Sequence, residues 1–366
     1  MSDKGITFVS GSRDEEFLSY EDLYSYACKG AGLLQNRGIP VGAEIVFQID
    51  DNKSFIIAFW SCLLGGYVPI PLNIGKNDEH KRKLFNVWRL LTNPYLVSEE
   101  IALNKIGLYA NDNQLVSVSS DIAAKHININ DLLACSTSGE IHQVDKECIA
   151  FIQFSSGSTG TPKGIVLTHG NLLSNVNAIG KSAGYSSEDT LLSWMPLTHD
   201  MGLIGFHLCP LYEGVNHVIL ETNLFVRRPA LWLEKTQEFQ ATVLCSPNFG
   251  YKYTLKHINP SLIEHYDLSS VRLIYNGAEP INAVICNDFM RFFSDYHLES
   301  KAMCPVYGLA EASLAVTMSG LEDEIIQISV DREKLQIGDR IEEVTSSEDC
   351  LTLVNVGSPV PDCLVR

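Results

Sequence analysis

The sequence has few charged residues, and basic ones are especially scarce. Asp and Glu number 44 against 27 Lys and Arg, so the chain of 366 residues carries a formal net charge of −17. An acidic surface of this kind disfavours non-specific binding to nucleic acid or to anionic membranes. We therefore expect no nucleic-acid partner.

Metal and disulfide signatures are also missing. The 10 cysteines are scattered without a CxxC pair, and the 10 histidines form no HExxH motif. Such a pattern predicts reduced, mostly buried thiols rather than a disulfide framework or a zinc site. It is typical of a cytoplasmic protein, and that is the compartment we expect.

No long hydrophobic run is unbroken. The most apolar stretch, residues 54–72, is interrupted by two glycines and two prolines. It predicts a buried helix to about Leu64, a turn and a short strand, not a membrane span. Residues 1–16 are polar and partly acidic, so we expect no signal peptide.

Short β-rich runs alternate with longer helical patterns along most of the chain. This alternation predicts an α/β fold with mostly parallel sheets covered by helices, and ligand sites at the carboxyl ends of strands. The predicted strands are Glu44–Ile49, Val68–Pro71, Ala150–Phe154, Gly164–Leu167, Thr190–Trp194, His217–Leu220, Ala241–Cys245 and Leu273–Asn276. The predicted helices are Tyr20–Arg37, Lys53–Leu64, Lys81–Leu91, Gly170–Ala183, Pro229–Phe239, Pro247–Lys256 and Ile281–Tyr296.

A loop rich in Gly, Ser and Thr follows the strand-like run Phe151–Phe154. It reads SSGSTGTPKG over residues 155–164. Small residues let backbone N–H groups approach phosphate oxygens, hydroxyls add donors, and Lys163 can reach the same anion. Because Pro162 and Gly164 flank the lysine, this is not a Walker A loop, and GxGxxG and GxSxG are also absent.

This loop resembles the nucleotide-binding signature of the adenylate-forming superfamily, which includes acyl-CoA synthetases, peptide-synthetase adenylation domains and luciferases. Four further segments resemble family motifs in the expected order. They are WMPLTHDMGL at 194–203, CSPNFGY at 245–251, NGAEP at 276–280 and VYGLAEA at 306–312. With the loop at 155–164, these segments extend the resemblance over nearly the whole chain. HDMGL and NGAEP are similar to the corresponding motifs of the fatty acyl-AMP ligase branch.

The resemblance implies a set of roles for the motif residues. Lys163 would lie near the pyrophosphate end of ATP, His199 near the reacting carboxylate, and Glu311 would bind Mg²⁺ as a hard oxygen ligand. We expect Asp200 to orient its loop, and Tyr307 to stack on the purine. The expected ATP contacts are Ser155, Ser156, Gly157, Ser158, Thr159, Gly160, Thr161, Gly164, Asn276, Gly277, Ala278, Glu279, Tyr307, Gly308, Leu309 and Ala310. The expected acyl-pocket residues are Met201, Gly202, Asn248, Phe249 and Gly250.

Three positions distinguish this sequence within the superfamily. Ala310 stands where most members have Thr, and the fatty acyl-AMP ligases share this alanine. Ser246 and Gly250 stand where that branch usually has Gly and Ala. The last two departures could change the shape of the acyl pocket. For this segment, ordinary helix packing is as good an interpretation as direct contact with the substrate.

The activity implied is ATP- and Mg²⁺-dependent conversion of a carboxylic acid, expected to be a fatty acid, into its acyl-AMP. The acyl group would then pass to the phosphopantetheine thiol of an acyl carrier protein, as a loading step in polyketide, peptide or lipid synthesis. Two alternatives stay open. One is an acyl- or aryl-CoA ligase, and the other is a non-catalytic nucleotide-binding fragment.

The resemblance also predicts the organisation of the chain. Residues 1–366 would form a truncated N-terminal adenylation domain, with α/β subdomains at 1–145 and 146–320. Residues 321–366 would hold the start of a smaller β-barrel subdomain and a branch-type insertion at 326–350, or a variable surface loop in its place. A ribose-binding Asp and a C-terminal lid domain with its catalytic Lys are expected beyond Arg366. We therefore expect little adenylation activity from this chain alone.

Overall fold

The strands and helices follow the predicted alternation closely. The computed structural model describes residues 3–75, 77–155, 162–321, 323–335, 341–344 and 350–365. The strands are β1 (Gly5–Val9), β2 (Glu15–Ser19), β3 (Glu44–Gln48), β4 (Val68–Pro71), β5 (Pro94–Ser98), β6 (His126–Asn128), β7 (Ile149–Ser155), β8 (Lys163–Thr168), β9 (Thr190–Ser193), β10 (Asn216–Leu220), β11 (Val243–Ser246), β12 (Leu273–Asn276), β13 (Met303–Gly308), β14 (Ala315–Met318), β15 (Gln327–Asp331), β16 (Cys350–Val354) and β17 (Ser358–Pro359). All eight strands predicted from the sequence are therefore present within about two residues.

The thirteen described α-helices include all seven predicted ones, with ends within about three residues, and six that were not predicted. They are α1 (Tyr20–Asn36), α2 (Asn52–Gly65), α3 (Asp78–Leu90), α4 (Glu100–Asp112), α5 (Val116–Ala124), α6 (Ile129–Ala134), α7 (His169–Ala183), α8 (Cys209–Glu213), α9 (Thr222–Arg227), α10 (Ala230–Glu238), α11 (Asn248–His257), α12 (Pro260–Ile263) and α13 (Ala283–Phe293). A π-helix at Met201–Leu208 precedes α8. The apolar run at 54–72 is a buried helix, α2, and the strand β4, joined by Gly66 at φ 77°. None of the described helices combines the length and apolarity needed to cross a bilayer.

The chain divides into two compact units. The first consists of Met1–Lys4, Leu18–Ser174 and Leu197–Asp200, and the second of Gly5–Phe17, Asn175–Pro196 and Met201–Arg366. The subdomain boundaries at 145 and 320 stay predictions.

The first unit contains a parallel sheet with the strand order β4-β3-β5-β6. Val46 of β3 pairs with Ile70 of β4 on one side and with Leu96 of β5 on the other. These side chains are fully buried and pack against Leu84 and Phe85 of α3. Strands β7 and β8 form a separate antiparallel pair in this unit.

The second unit contains a sheet of nine strands in the order β17-β14-β13-β12-β11-β9-β10-β1, with β2 at the far edge. Strands β1, β10, β9, β11, β12 and β13 run parallel. Strand β14 is antiparallel to β13, and β17 is antiparallel to β14. Parallel strands whose ends meet at one edge are the expected setting for a ligand site. The α/β prediction of two helix-flanked, mostly parallel sheets is confirmed.

Residues 321–366 include a short antiparallel ribbon of β15 and β16. It is compatible with a β-rich subdomain that begins here. The insertion predicted at 326–350 stays a prediction, because residues 336–340 and 345–349 lie outside the described residues.

Candidate active site

Strands β7 and β8 hold the two ends of the Gly/Ser/Thr-rich loop. Their register pairs Ser155 with Lys163 and Phe154 with Gly164. The antiparallel pairing therefore brings the first and ninth residues of SSGSTGTPKG to neighbouring positions. The predicted ATP-binding residues at 156–161, and the side chain of Ser155, lie outside the described residues.

Gly164 has a packing role that the motif did not reveal. A Cβ at this position would stand 2.9 Å from Cζ of Phe154 and 3.1 Å from Cγ2 of Ile152. Both side chains belong to the hydrophobic cluster of the first unit. The absence of a side chain at Gly164 thus leaves room for the Phe154 ring across the hairpin. The contact of Gly164 with ATP stays a prediction.

Lys83 also supports this hairpin, although no motif contains it. Its Nζ atom donates a hydrogen bond to the carbonyl of Phe154 at 2.9 Å. Burial lowers the pKa of the Lys83 ammonium, and the nearby Glu79 carboxylate partly opposes that shift. A half-buried cation thus fixes the backbone just before the loop. A lysine in α3, 71 residues earlier in sequence, carried no signal that could identify this role.

His199 and Asp200 form a pair in the first unit. Nδ1 of His199 lies 2.8 Å from Oδ1 of Asp200, and the Asp200 side chain is the more buried of the two. A carboxylate on Nδ1 fixes the orientation of an imidazole ring. Asp200 therefore orients the side chain of His199 directly, which is more specific than the loop-orienting role predicted for it.

The residue just before His199 is held by side chains that the sequence analysis did not identify. The hydroxyl of Thr198 donates to Oδ1 of Asn73. The amide of Gln48, at the end of β3, donates to the carbonyl of Asn73 at 3.0 Å and accepts from the N–H of Gly75 at 3.0 Å. The one signal in the sequence was a polar residue, Gln48, directly after the apolar residues 45–47 of this strand.

In the second unit, the carboxyl ends of β11, β12 and β13 lie side by side. Ser246 pairs with Asn276, and Asn276 pairs with Pro305. The predicted segments CSPNFGY, NGAEP and VYGLAEA therefore begin at the same edge of the sheet. This is the placement expected of ligand loops.

The residues of NGAEP pack closely against their neighbours. A Cβ on Gly277 would meet Cγ2 of Val306 at 2.8 Å and Cε of Met201 at 3.2 Å. Ala278 adopts φ +70°, which is uncommon for a residue with a side chain. Met201, predicted to line the acyl pocket, thus contacts the predicted adenine loop.

Two side chains of the VYGLAEA segment, Tyr307 and Glu311, are exposed. Tyr307 is 49% exposed, and the backbone irregularity at Tyr307–Gly308 turns the chain into a short helix at Ala310–Ala312. Gly308 is required there, because a Cβ would stand 1.9 Å from the carbonyl oxygen of Leu314. Leu309 closes the turn through its N–H to the same carbonyl at 3.0 Å.

Glu311 is an exposed carboxylate in this turn. Among the described residues, no group of three or more His, Cys, Asp or Glu side chains is arranged to hold a metal. A single exposed carboxylate nevertheless fits Mg²⁺, which usually binds one or two carboxylates together with phosphate oxygens and water. Glu311 could therefore hold a nucleotide-bound Mg²⁺ but not a metal site made by protein alone.

The predicted acyl-pocket residues divide into buried and accessible groups. Gly202 is the second residue of the buried π-helix, and a Cβ there would stand 2.4 Å from the carbonyl oxygen of Pro196. Phe249 is 51% exposed and makes an edge contact with the Trp194 ring at 6.4 Å. Of this set, the Phe249 ring is the side chain most available to an apolar ligand.

Ser246 and Gly250 fit each other. A Cβ on Gly250 would stand 2.0 Å from Oγ of Ser246 and 2.5 Å from Cζ2 of Trp194. The Ser246 hydroxyl is itself fixed by donating to the carbonyl of Pro247 at 2.8 Å. Ser246 and the Trp194 ring therefore leave no room for a side chain at 250, so the two departures from the branch pattern fit each other sterically.

We expect Gly250→Ala to lower the free energy of unfolding by about 2 kcal/mol, because overpacking a tight core costs about 1–3 kcal/mol. The same change in a Ser246→Gly background should cost about 1 kcal/mol less, as residues in contact couple. Urea unfolding of the four proteins of this cycle measures the effect. Gly107→Ala is the matched control, since a Cβ there meets nothing within 4 Å. Additive effects at 246 and 250 would contradict the coupling.

Comparison with known proteins identifies the class to which this fold and these motifs belong. The chain belongs to the AMP-binding enzyme family, which it matches over residues 3–366. It resembles the medium-chain-fatty-acid–(acyl-carrier-protein) ligase JamA of Moorena producens (strain JHB), at 28% identity over 86% of this chain and 53% of JamA. The long-chain-fatty-acid–AMP ligase FadD26 of Mycobacterium marinum (strain ATCC BAA-535 / M) is 27% identical over 95% of this chain and 60% of FadD26.

A solved structure agrees with these relatives. The fatty acyl-adenylate ligase from L. pneumophila, in complex with acyl adenylate and pyrophosphate, superposes with a TM-score of 0.87. It is 30% identical and covers 97% of this chain, which spans 61% of that protein. The predicted membership in the adenylate-forming superfamily, in its fatty acyl-AMP ligase branch, is confirmed. The chain spans little more than half the length of the relatives it matches.

Proposed function

We propose that this chain supplies the ATP- and acid-binding residues for formation of a fatty acyl-adenylate, whose acyl group is transferred to the thiol of an acyl carrier protein. The observation that carries the proposal is the set of five motif segments. The β7–β8 hairpin holds the ends of the first, the His199–Asp200 pair belongs to the second, and the other three begin at the carboxyl ends of β11, β12 and β13. The names of JamA and FadD26 support the choice of a fatty acid, and that of JamA supports a carrier protein.

The proposed chemistry is an in-line displacement at the α-phosphate. A carboxylate oxygen of the acid forms a bond to phosphorus, and the bond to the pyrophosphate oxygen breaks. The protein provides positioning and charge neutralisation rather than a covalent intermediate. Lys163 is proposed to pair with the departing pyrophosphate, and His199, oriented by Asp200, to hold the reacting groups. Mg²⁺ held by Glu311 would neutralise phosphate charge.

The direct test is product formation. The chain, and any longer protein that its gene encodes, are incubated with ATP, Mg²⁺ and a panel of carboxylic acids, and acyl-AMP is detected by mass spectrometry. Transfer of the acyl group to coenzyme A and to a phosphopantetheinylated carrier protein is compared in parallel. Efficient formation of the CoA ester, without transfer to the carrier protein, would exclude the carrier-protein proposal.

Lys163 gives the sharpest test of the phosphate loop. We expect Lys163→Ala to weaken ATP binding about 10- to 100-fold, because a hydrogen bond to a charged group is worth about 1.5–3 kcal/mol. AMP binding should change much less, since AMP lacks the pyrophosphate. Isothermal titration calorimetry of the chain measures both affinities. Lys181→Ala, which removes an exposed lysine in the last turn of α7, is the matched control. Equal losses for ATP and AMP would contradict the assigned position.

A further inference from the structure

The side chain of Asn248 is engaged with the loop at 276–282. It lies at the start of α11 and is only 6% exposed. Its Oδ1 accepts from Nδ2 of Asn276 at 3.1 Å and from the N–H of Asn282 at 3.0 Å. Its Nδ2 donates to the carbonyl of Pro280 at 2.7 Å. One amide thus bonds three positions of the loop, and a buried amide committed in this way is poorly placed to bind an acyl chain.

Glu279 makes the reverse connection. Its Oε1 accepts from the backbone N–H of Phe249, in the first turn of α11, at 3.0 Å. The first N–H groups of a helix have no partner within the helix, and the residue before α11 is Pro247, which has no side-chain acceptor. A carboxylate at this end is also favoured by the helix dipole. Glu279 therefore caps α11 from the neighbouring strand end.

The loop between these contacts needs external support. Ala278 has φ +70°, a conformation that persists only where the surroundings enforce it. Asn276 is fully buried, and among the described residues its Oδ1 has no hydrogen-bond partner. Within the described part of the chain, its Nδ2 donates to Oδ1 of Asn248 and to Sγ of Cys286, at 3.1 Å each. The orientation of the Asn276 amide thus depends on the Asn248 oxygen.

We propose that Asn248 and Glu279 are positioning residues that clamp the 276–282 loop to the start of α11 and so set its selectivity for adenine. The inference rests on the proposed function, which assigns adenine contact to this loop. The Glu279 carboxylate acts on α11, and the backbone of 277–279 is left to contact the base. The clamp also joins the loop to Phe249, the exposed ring offered to the acyl chain.

The test compares binding of ATP, GTP and pyrophosphate to the wild-type chain and to Asn248→Ala. We expect the affinity of the variant for ATP to fall roughly ten-fold or more. A loss of this size corresponds to about one buried hydrogen bond that no longer holds the loop in its binding conformation. Its preference for ATP over GTP should fall while pyrophosphate binding is kept. Asn248→Asp retains the two acceptor contacts, loses the bond to Pro280 and turns a carboxyl oxygen toward that carbonyl, so we expect a lowered ATP-to-GTP ratio.

Glu279 supplies an independent pair of variants. Glu279→Gln keeps an acceptor for the Phe249 N–H and should keep most of the ATP-over-GTP preference, whereas Glu279→Ala should lower it. Asn287→Ala, an exposed asparagine on α13, is the matched control and should leave the ratio unchanged. An unchanged ATP-to-GTP ratio in a folded Asn248→Ala protein would overturn the proposal, as would equal losses for ATP and pyrophosphate.

Hydrogen exchange tests the clamp without a ligand. Asn248→Ala, or Asn248→Asp if the alanine variant does not fold, should speed amide exchange at 277–282, and Glu279→Ala should speed it at Phe249. Exchange in α1 should not change. If wild-type protein binds no ATP, the proposed function fails and exchange alone decides the clamp. Unaltered exchange at 277–282 then rejects it.

Discussion

Lowering the pH from 7 to 5 should reduce the free energy of unfolding by about 4 kcal/mol through two buried histidines. His207 of the π-helix and His217 of β10 are both fully buried, with Nδ1 of His207 3.1 Å from Nε2 of His217. Burial lowers the pKa of His207 to about 3. Burial also lowers the pKa of His217 well below its usual value, and the neighbouring His207 lowers it further.

The sign follows from where the protons bind. An unfolded histidine titrates near pH 6.5, so below that pH the unfolded chain takes up protons that the folded chain does not. Stability is therefore complete above about pH 6.5 and falls as the pH drops. Each histidine contributes about 1.4 kcal/mol per pH unit, or about 2 kcal/mol between pH 6.5 and 5. This is a large share of the roughly 5–15 kcal/mol that stabilises a typical protein.

Urea unfolding at pH 7 and pH 5 measures this loss. His207→Asn places an amide near the bonding Nδ1, and His217→Gln places one near the bonding Nε2, so each keeps a polar partner without the titrating ring. Each variant should lose about 2 kcal/mol less than wild type on acidification. His265→Asn, at an exposed position, should behave as wild type does. Identical pH dependence in all four proteins would reject the assignment.

Removing the carboxylates around Lys235 should destabilise the second unit by about 3–5 kcal/mol, the usual cost of leaving a buried charge without its partner. Lys235 of α10 is 1% exposed. Its ammonium donates to Glu15, to Glu238 at 2.6 Å and to the carbonyl of Ser12 at 3.0 Å. The double variant Glu15→Gln, Glu238→Gln leaves that cation with weakened partners, and urea unfolding measures the result.

The triple variant that adds Lys235→Met separates charge burial from general damage. Replacing a whole buried ionic group by an apolar one is often nearly neutral, so the triple variant should recover most of the loss. Glu234→Gln disrupts the more exposed Arg228–Glu234 pair and should cost about 1 kcal/mol or less. A triple variant as unstable as the double one would show that the carboxylates act through packing, not charge.

Periodicity and turn residues were sufficient for most of the fold. The bounds of β4 and β12 match their predictions, because Gly and Pro mark the end of α2 and the turns around these strands. The missed elements include the strands β1, β2, β5 and β6 and the helices α4, α5 and α6. Except for α4 they are short, and several are held by partners distant in sequence, as when β1 pairs with β10.

The acyl side was the least predictable part of the candidate site. The predicted acyl-pocket residues Met201 and Gly202 both lie in the buried π-helix. Asn248 was predicted to line the acyl pocket, but its hydrogen bonds are directed to the 276–282 loop. Position in a motif identifies a neighbourhood, whereas the direction of a side chain depends on which strands are adjacent.

The sequence by itself determined the family, the α/β class and the segments that carry the chemistry, because phosphate binding and strand-to-loop turns demand particular local residues. Only the tertiary structure decided which distant groups support those segments. Three hydrogen bonds join residues that are far apart in sequence: Lys83 to the carbonyl of Phe154, Thr198 to Asn73, and Asn248 to the carbonyl of Pro280. Such contacts follow from sheet order and burial, since a buried polar group must find its partner wherever the fold brings one.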